Sequence, residues 1–174
     1  QSETVEAVNE ALDAGIFVVA AAGNNGKKAN IRDVSIPANI PGVIAVGAST
    51  IDGKTWSNSS IGSNIDPYFN EERQFPNQKP EVIAPGVRLF STASTEITPA
   101  YAYSTGTSDS TVIVVGALAL ILQIHGTEMR GEDGKFNLGE MNLVKSALAN
   151  SSLNSQNMGA IHSNKSGYGE LNAE

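Results

Sequence analysis

Ile16-Phe17-Val18-Val19-Ala20-Ala21-Ala22 runs for seven residues without a polar side chain and is closed by Gly23-Asn24-Asn25-Gly26. A strand with one wet face alternates apolar and polar residues. An unbroken apolar run that stops at turn-forming residues is instead a strand buried on both faces, the kind found in parallel sheets. Upstream, Val5, Val8, Ala11 and Leu12 recur at helical spacing from Ser2 onward, and Gly15 ends the pattern. Downstream the short apolar run returns twice, as Val43 to Ala48 and as Glu81 to Ala84. Pro85-Gly86 ends the last of these, and Val87 to Thr92 continues in extended form. Helix followed by buried strand, repeated, predicts an α/β domain whose mainly parallel sheet is covered on both faces. In such sheets functional groups gather at the carboxyl ends of the strands.

The rest of the chain fits around that sheet. From Ser108 the sequence turns helical and stays apolar on nearly every side through Val112, Val115, Ala119 and Leu122, which predicts a helix buried in the middle of the domain. Met141, Val144, Ala147 and Leu148 mark a more ordinary amphipathic helix. The stretch from Thr55 to Pro80 is rich in Ser, Asn, Pro and charge and reads as a long surface loop, a candidate insertion over about residues 55–80. With 174 residues and 40% hydrophobic content, one core is expected. The formal net charge of −7 argues against a nucleic-acid partner. The absence of cysteine excludes disulfides, thiolate metal sites and a cysteine nucleophile. The longest apolar run, Val112 to Leu122, is too short to cross a bilayer. A helical pattern that starts almost at Gln1, with no signal-peptide layout before it, is expected of the interior of a longer protein.

Two polar residues stand where chemistry would be done. Ser108, in Ser104-Thr105-Gly106-Thr107-Ser108, lies at the N-terminus of the apolar helix, where free backbone N–H groups and the helix dipole favour a developing anion. The same position suits a serine that only caps the helix. Asn24 follows a buried strand at its carboxyl end and can aim a side-chain amide into a cleft, or it can serve only as a turn residue. Asp33, Asp52, Asp66 and Asp109 show no metal-ligand spacing.

Five ordered segments carry a resemblance to a known family. They are Ala20 to Gly26, Ile36 to Ala48, Lys79 to Gly86, Gly106-Thr107-Ser108 with Gly116-Ala117-Leu118-Ala119-Leu120, and Gly167 to Ala173. Together they cover nearly the whole chain and resemble the C-terminal half of the catalytic domain of subtilisin-like serine proteases, the subtilases of peptidase family S8. The resemblance implies a three-layer α/β fold, incomplete on its N-terminal side. It also implies peptide-bond hydrolysis through an acyl-enzyme, with Ser108 as nucleophile and the Asn24 amide as oxyanion donor. Ala21, Ala22 and Gly23 would wall the primary substrate pocket, with Ser35 near its floor and Thr107 also touching substrate. The partners implied are a polypeptide substrate and the missing N-terminal half of the same domain. No cofactor is required for the chemistry; structural calcium is common in the family, but no site for it can be assigned here. Localisation is not fixed by the sequence, and only the resemblance points to secretion.

Two departures matter. Where the family usually has Met-Ala, Ser or Thr, and then Pro-His after the nucleophile, this chain reads Asp109-Ser110-Thr111-Val112-Ile113. The triad's aspartate and histidine segments precede the first helix in the family, so this chain alone is expected to be inactive. His125, in His125-Gly126-Thr127, imitates the family's histidine motif but follows the serine helix, and neither it nor His162 is expected to act as the base. The alternative reading is a non-catalytic subtilase-like domain that binds peptides or proteins.

Overall fold

A computed structural model describes residues 3–30, 33–67, 69–94, 96, 100–153 and 161–172. Ser2 and Ala173, which end two of the expected segments, lie outside the described residues. Helix α1 (Glu3–Asp13) leads through a turn at Gly15 into β1 (Val19–Ala21). Strands β2 (Ile44–Ser49) and β3 (Val82–Pro85) follow. They form a three-stranded parallel sheet in the order β1-β2-β3, in the register Val19↔Ile44 and Val46↔Val82. Strands β4 (Val87–Thr92) and β5 (Tyr101–Thr105) make a separate antiparallel hairpin, and helices α2 (Thr107–Met129) and α3 (Leu138–Ser151) complete the elements.

The unbroken apolar runs behave as their chemistry requires. On β2, Ala45 and the preceding Val43 turn toward one core with Val5 of α1, Ala20 and Ala22, while Ile44 and Val46 turn toward another. That second core holds Val82 and Ala84 of β3, Val114 and Leu118 of α2, and Val144 and Leu148 of α3. Alternate residues therefore feed opposite cores, and the sheet lies between a layer with α1 and a layer with α2 and α3. This is the three-layer α/β arrangement. The regular part of β1 is shorter than the apolar run that announces it, since Ile16 to Val18 serve as an extended lead-in.

The two edges of the sheet differ. Beyond β3, the chain returns at residues 168–171 and bonds along it: Tyr168 N–H donates to Glu81 C=O at 2.8 Å, Ile83 N–H to Gly169 C=O at 3.0 Å, and Leu171 N–H to Ile83 C=O at 2.8 Å. Beside that strap sits a buried charge cluster. Glu81 Oε1 accepts from Lys79 Nζ at 2.8 Å and Lys145 Nζ at 2.7 Å, while its Oε2 accepts from the Ala45 N–H at 2.7 Å. Burial pushes the Lys79 ammonium down to about 7, with the attraction of Glu81 opposing that and Lys145 adding to it. Burial alone would raise Glu81, but the two ammonium groups prevail and hold it below the usual carboxylate range. On the other side, no described strand pairs with the outer edge of β1.

Two expectations need correction. Helix α2 is not buried on every side. Val114, Ala117 and Leu118 pack on the sheet, whereas Val112 and Ile124 are 70% and 71% exposed and Leu120 is exposed as well. The described sheet covers one face of the helix, and its apolar outer face has nothing against it. By length and composition α2 would also suffice to cross a bilayer, which the shorter run Val112 to Leu122 understated, yet its inner face is spent on β1, β2 and β3. Among its described residues the stretch 55–80 has no named helix or strand, but it is not peripheral. Ser59, Ser60, Asp66, Arg73 and Lys79 are buried there: Ser59 meets the Ala48 N–H, Ser60 the Asn25 N–H, Arg73 the Asn39 C=O and Lys79 the Val43 C=O, while Asp66 lies against Arg73 within the stretch itself.

Candidate functional site

The carboxyl ends of β1 and β3, the end of the hairpin and the start of α2 meet at one rim. Gly106, between β5 and α2, donates its N–H to Gly86 C=O at 2.9 Å, and Ser110 Oγ donates to Ala84 C=O at 2.8 Å. These bonds seat the first turn of α2 on the end of β3.

Asn24 is tied to that turn across 83 positions of sequence. Its Oδ1 accepts from the Thr107 N–H at 3.0 Å and from Thr107 Oγ1 at 3.0 Å, while Thr107 Oγ1 accepts from the Gly23 N–H at 3.1 Å. A backbone N–H can only donate, so the carboxamide atom facing it is the oxygen, and Nδ2 is turned away from the tie. That Nδ2 comes within 3.3 Å of the point where a β-carbon on Gly106 would stand, so glycine there leaves the amide its space. Ser108, one residue after Thr107, is exposed, and neither its hydroxyl nor its N–H makes a hydrogen bond among the described residues. The rim therefore offers an unengaged hydroxyl beside two unengaged donors, the Asn24 amide and the Ser108 N–H at a helix N-terminus. Such a set can hold an anion that forms next to an attacking oxygen.

The other residues singled out by sequence fall around this rim in different ways. Thr107 is all but fully buried, and its hydroxyl is engaged with Asn24 and the Gly23 N–H. Ala22 turns its methyl into the α1 core and can offer a cleft only its backbone, while Ala21 is half-buried. Gly23 has φ of 107°, and a β-carbon there would stand 2.9 Å from Ser60 Oγ and 3.6 Å from Ser35 Oγ. Ser35 is thus brought beside Gly23, with its N–H 3.4 Å from Ala22 C=O. Ser60 escaped the sequence reading: its N–H donates to Gly23 C=O at 2.7 Å and its Oγ accepts from Asn25 N–H at 3.2 Å, which fixes the turn that carries Asn24. No signal in a Ser/Asn-rich stretch singles it out.

Neither histidine joins the rim. His125 lies near the far end of α2, about 25 Å from Ser108 at 1.5 Å per residue, with Nδ1 3.7 Å from Glu128. His162 has Nε2 2.9 Å from Pro80 C=O and its ring edge-on to Tyr168, at the opposite end of β3. Burial holds its pKa below the usual histidine value. Among the described residues no three His, Asp or Glu side chains are grouped so as to hold a metal ion.

Comparison with known proteins gives one consistent result. The peptidase S8 family model, that of the subtilase family, matches residues 1–169. Subtilisin NAT of Bacillus subtilis subsp. natto is 40% identical over 120 residues, covering 69% of this chain and 27% of that protein. Subtilisin BL of Lederbergia lenta is 33% identical over 156 residues, covering 86% of this chain and 50% of that protein. The chain thus spans half or less of these curated relatives. Among solved structures, the self-cleaved protease domain of PatA has a TM-score of 0.68 at 25% identity, covering 99% of this chain and 53% of that one. The PatG macrocyclase in complex with peptide has a TM-score of 0.70 at 22% identity, covering 99% and 46%, a likeness of fold.

Proposed function

Because the chain belongs to the subtilase family, we propose that it is the C-terminal part of a serine endopeptidase that cleaves peptide bonds through an acyl-enzyme. The observation that carries the reading is the Asn24 carboxamide, whose Oδ1 is held by two donors of Thr107, the residue before Ser108, which leaves Nδ2 without a partner among the described residues. In this reading Ser108 Oγ attacks the scissile carbonyl. The oxygen, as it gains charge, is met by Asn24 Nδ2 and the Ser108 N–H, donors that are already in place and need no reorganisation. Gly23 and Ser35, with the backbone of Ala21 and Ala22, line the pocket for the substrate side chain. No cofactor is needed for these steps.

A hydroxyl without a base is a poor nucleophile, and neither described histidine is within reach of Ser108. The histidine and aspartate of the triad are therefore assigned to a segment preceding this sequence. The same segment covers the outer face of α2 and pairs with the free edge of β1. The 174 residues alone are inactive in this reading.

The test is labelling by a fluorophosphonate probe. The full-length protein is expected to label rapidly, Ser108→Ala to abolish the label, and the 174-residue piece to react no faster than an ordinary surface serine. A full-length protein that neither labels nor hydrolyses peptides, yet binds them, would establish the non-catalytic binding domain instead.

A further inference from the structure

The first turn of α2 turns two side chains toward the surface and two inward. Thr107 and Ser110 are buried, Ser108 is exposed and Asp109 is half-exposed. Asp109 Oδ2 accepts from Ser104 Oγ at 3.0 Å, which fixes the carboxylate against the end of β5. That oxygen is 3.7 Å from the β-carbon position of Gly106, and Asn24 Nδ2 is 3.3 Å from the same point, so carboxylate and amide are within about 7 Å of each other. Asp109 has no Lys, Arg or His partner among the described residues, and its Oδ1 makes no hydrogen bond there.

An aspartate in a helix's first turn ordinarily complements the dipole, and that service can be rendered anywhere around the turn. Here the carboxylate stands beside the amide proposed to hold an oxyanion, where an uncompensated negative charge opposes the reaction. A positive side chain on the bound polypeptide, placed next to the bond to be cut, removes that opposition and gains an ion pair. An uncharged side chain does neither.

We propose that Asp109 makes the Ser108 site prefer polypeptides with a lysine or arginine side chain flanking the scissile bond, an inference that rests on the peptidase reading above. Ser104 positions the carboxylate, and Asp109 reads the cation.

The experiment uses the full-length protein and two peptides that differ only in a lysine or a glutamine beside the cleaved bond. The kcat/KM ratio is expected to favour the lysine peptide by about fivefold at low ionic strength, the scale of a partly exposed ion pair, and to fall toward unity at about 0.5 M salt. Asp109→Asn is expected to abolish the preference and Asp109→Glu to retain it, which separates charge reading from a structural role in the helix. Dissociation constants for the same peptides, measured by fluorescence anisotropy on Ser108→Ala with and without Asp109→Asn, read the preference without turnover. An unchanged ratio in Asp109→Asn, equal affinity for both peptides, or no binding of either overturns the proposal. Hydrolysis of neither peptide by the parent overturns the peptidase reading instead, and hydrolysis that survives Ser108→Ala overturns Ser108 as its nucleophile.

Discussion

The two flanks of the sheet are built from the same kind of strand and end in opposite conditions. At the β3 flank the strap at 168–171 satisfies the backbone, and the charges that lie underneath are paired with one another. At the β1 flank the backbone edge is unpaired among the described residues, and the neighbouring face of α2 presents Val112, Val115, Leu120 and Ile124 to solvent. An open apolar groove lined by Phe17, Val19, Val115, Leu122 and Phe136 runs between them. Burial is complete where the chain supplies its own cover and fails where it does not, so stability is concentrated on one side. The candidate chemistry stands on the rim above both.

The largest effect follows from the open flank. Expressed alone, residues 1–174 are expected to aggregate, or to bind a hydrophobic dye strongly and melt without cooperativity, because a free strand edge beside exposed apolar surface invites association. If the proposed preceding segment covers this flank, its co-expression is expected to restore a sharp melt. A monodisperse monomer with protected amides at Val19 and Ile44 would break the comparison outright.

At the rim, Ser108→Ala in the full-length protein is expected to lower kcat by at least about a thousandfold, and Asn24→Ala by about 10²–10³-fold with little change in KM. The scale for the asparagine was established on subtilisin itself and is carried over to this chain. Equal losses in KM would mean that Asn24 holds the ground state as tightly as the transition state.

The closed flank is tested through its charges. Glu81→Gln removes the counter-charge from both buried lysines and is expected to cost about 3–5 kcal/mol in denaturant unfolding of the full-length protein. Lys79→Met keeps the Lys145–Glu81 pair and should cost far less, within about 1 kcal/mol of the parent. Equal costs would show that the two lysines are not redundant.

The closed flank also sets a pH dependence. The folded-state pKa of Lys79, about 7, lies below its unfolded value of 10.5, so between those values the unfolded chain binds more protons. Stability therefore rises with pH through that window. His162, also depressed, acts in the same direction as pH rises through the weakly acidic range. Tyr168, raised to about 12, reverses the trend above pH 10, where the unfolded phenol loses its proton first. Thermal melts from pH 6 to pH 10 should climb in the parent and climb less in Lys79→Met.

Much of this architecture was legible in the sequence because burial on both faces of a strand leaves a local mark. Val43 to Ala48 and Glu81 to Ala84 declare themselves by composition within one residue of the observed strands. The hairpin strand Tyr101–Thr105 left no such mark, since all five of its residues are exposed. The polar stretch 55–80 misled for the converse reason. Ser59, Ser60 and Arg73 look like surface residues until Ala48 N–H, Asn25 N–H and Asn39 C=O are brought to them by the fold. At the site, Ser108 and Asn24 could be named from their places beside helix and strand, but the bonds from Asn24 to Thr107, which orient the amide, join residues too distant for any local pattern to reveal.

That distance also sets an order of events. Strands β1 and β2 can pair as soon as residue 49 is available, and β3 can join them once residue 85 is. The tie between Asn24 and Thr107 must wait for the closure of an 83-residue loop, and the strap on β3 for residues 168–171. Contacts of such separation are entropically slow to form, and a chain made from its N-terminus acquires them last. In a nascent polypeptide the Asn24 amide is therefore fixed only after most of the sheet exists. Throughout that interval a ribosome-bound intermediate carries the β3 edge bare, which makes the time before the strap closes a period of need for a chaperone.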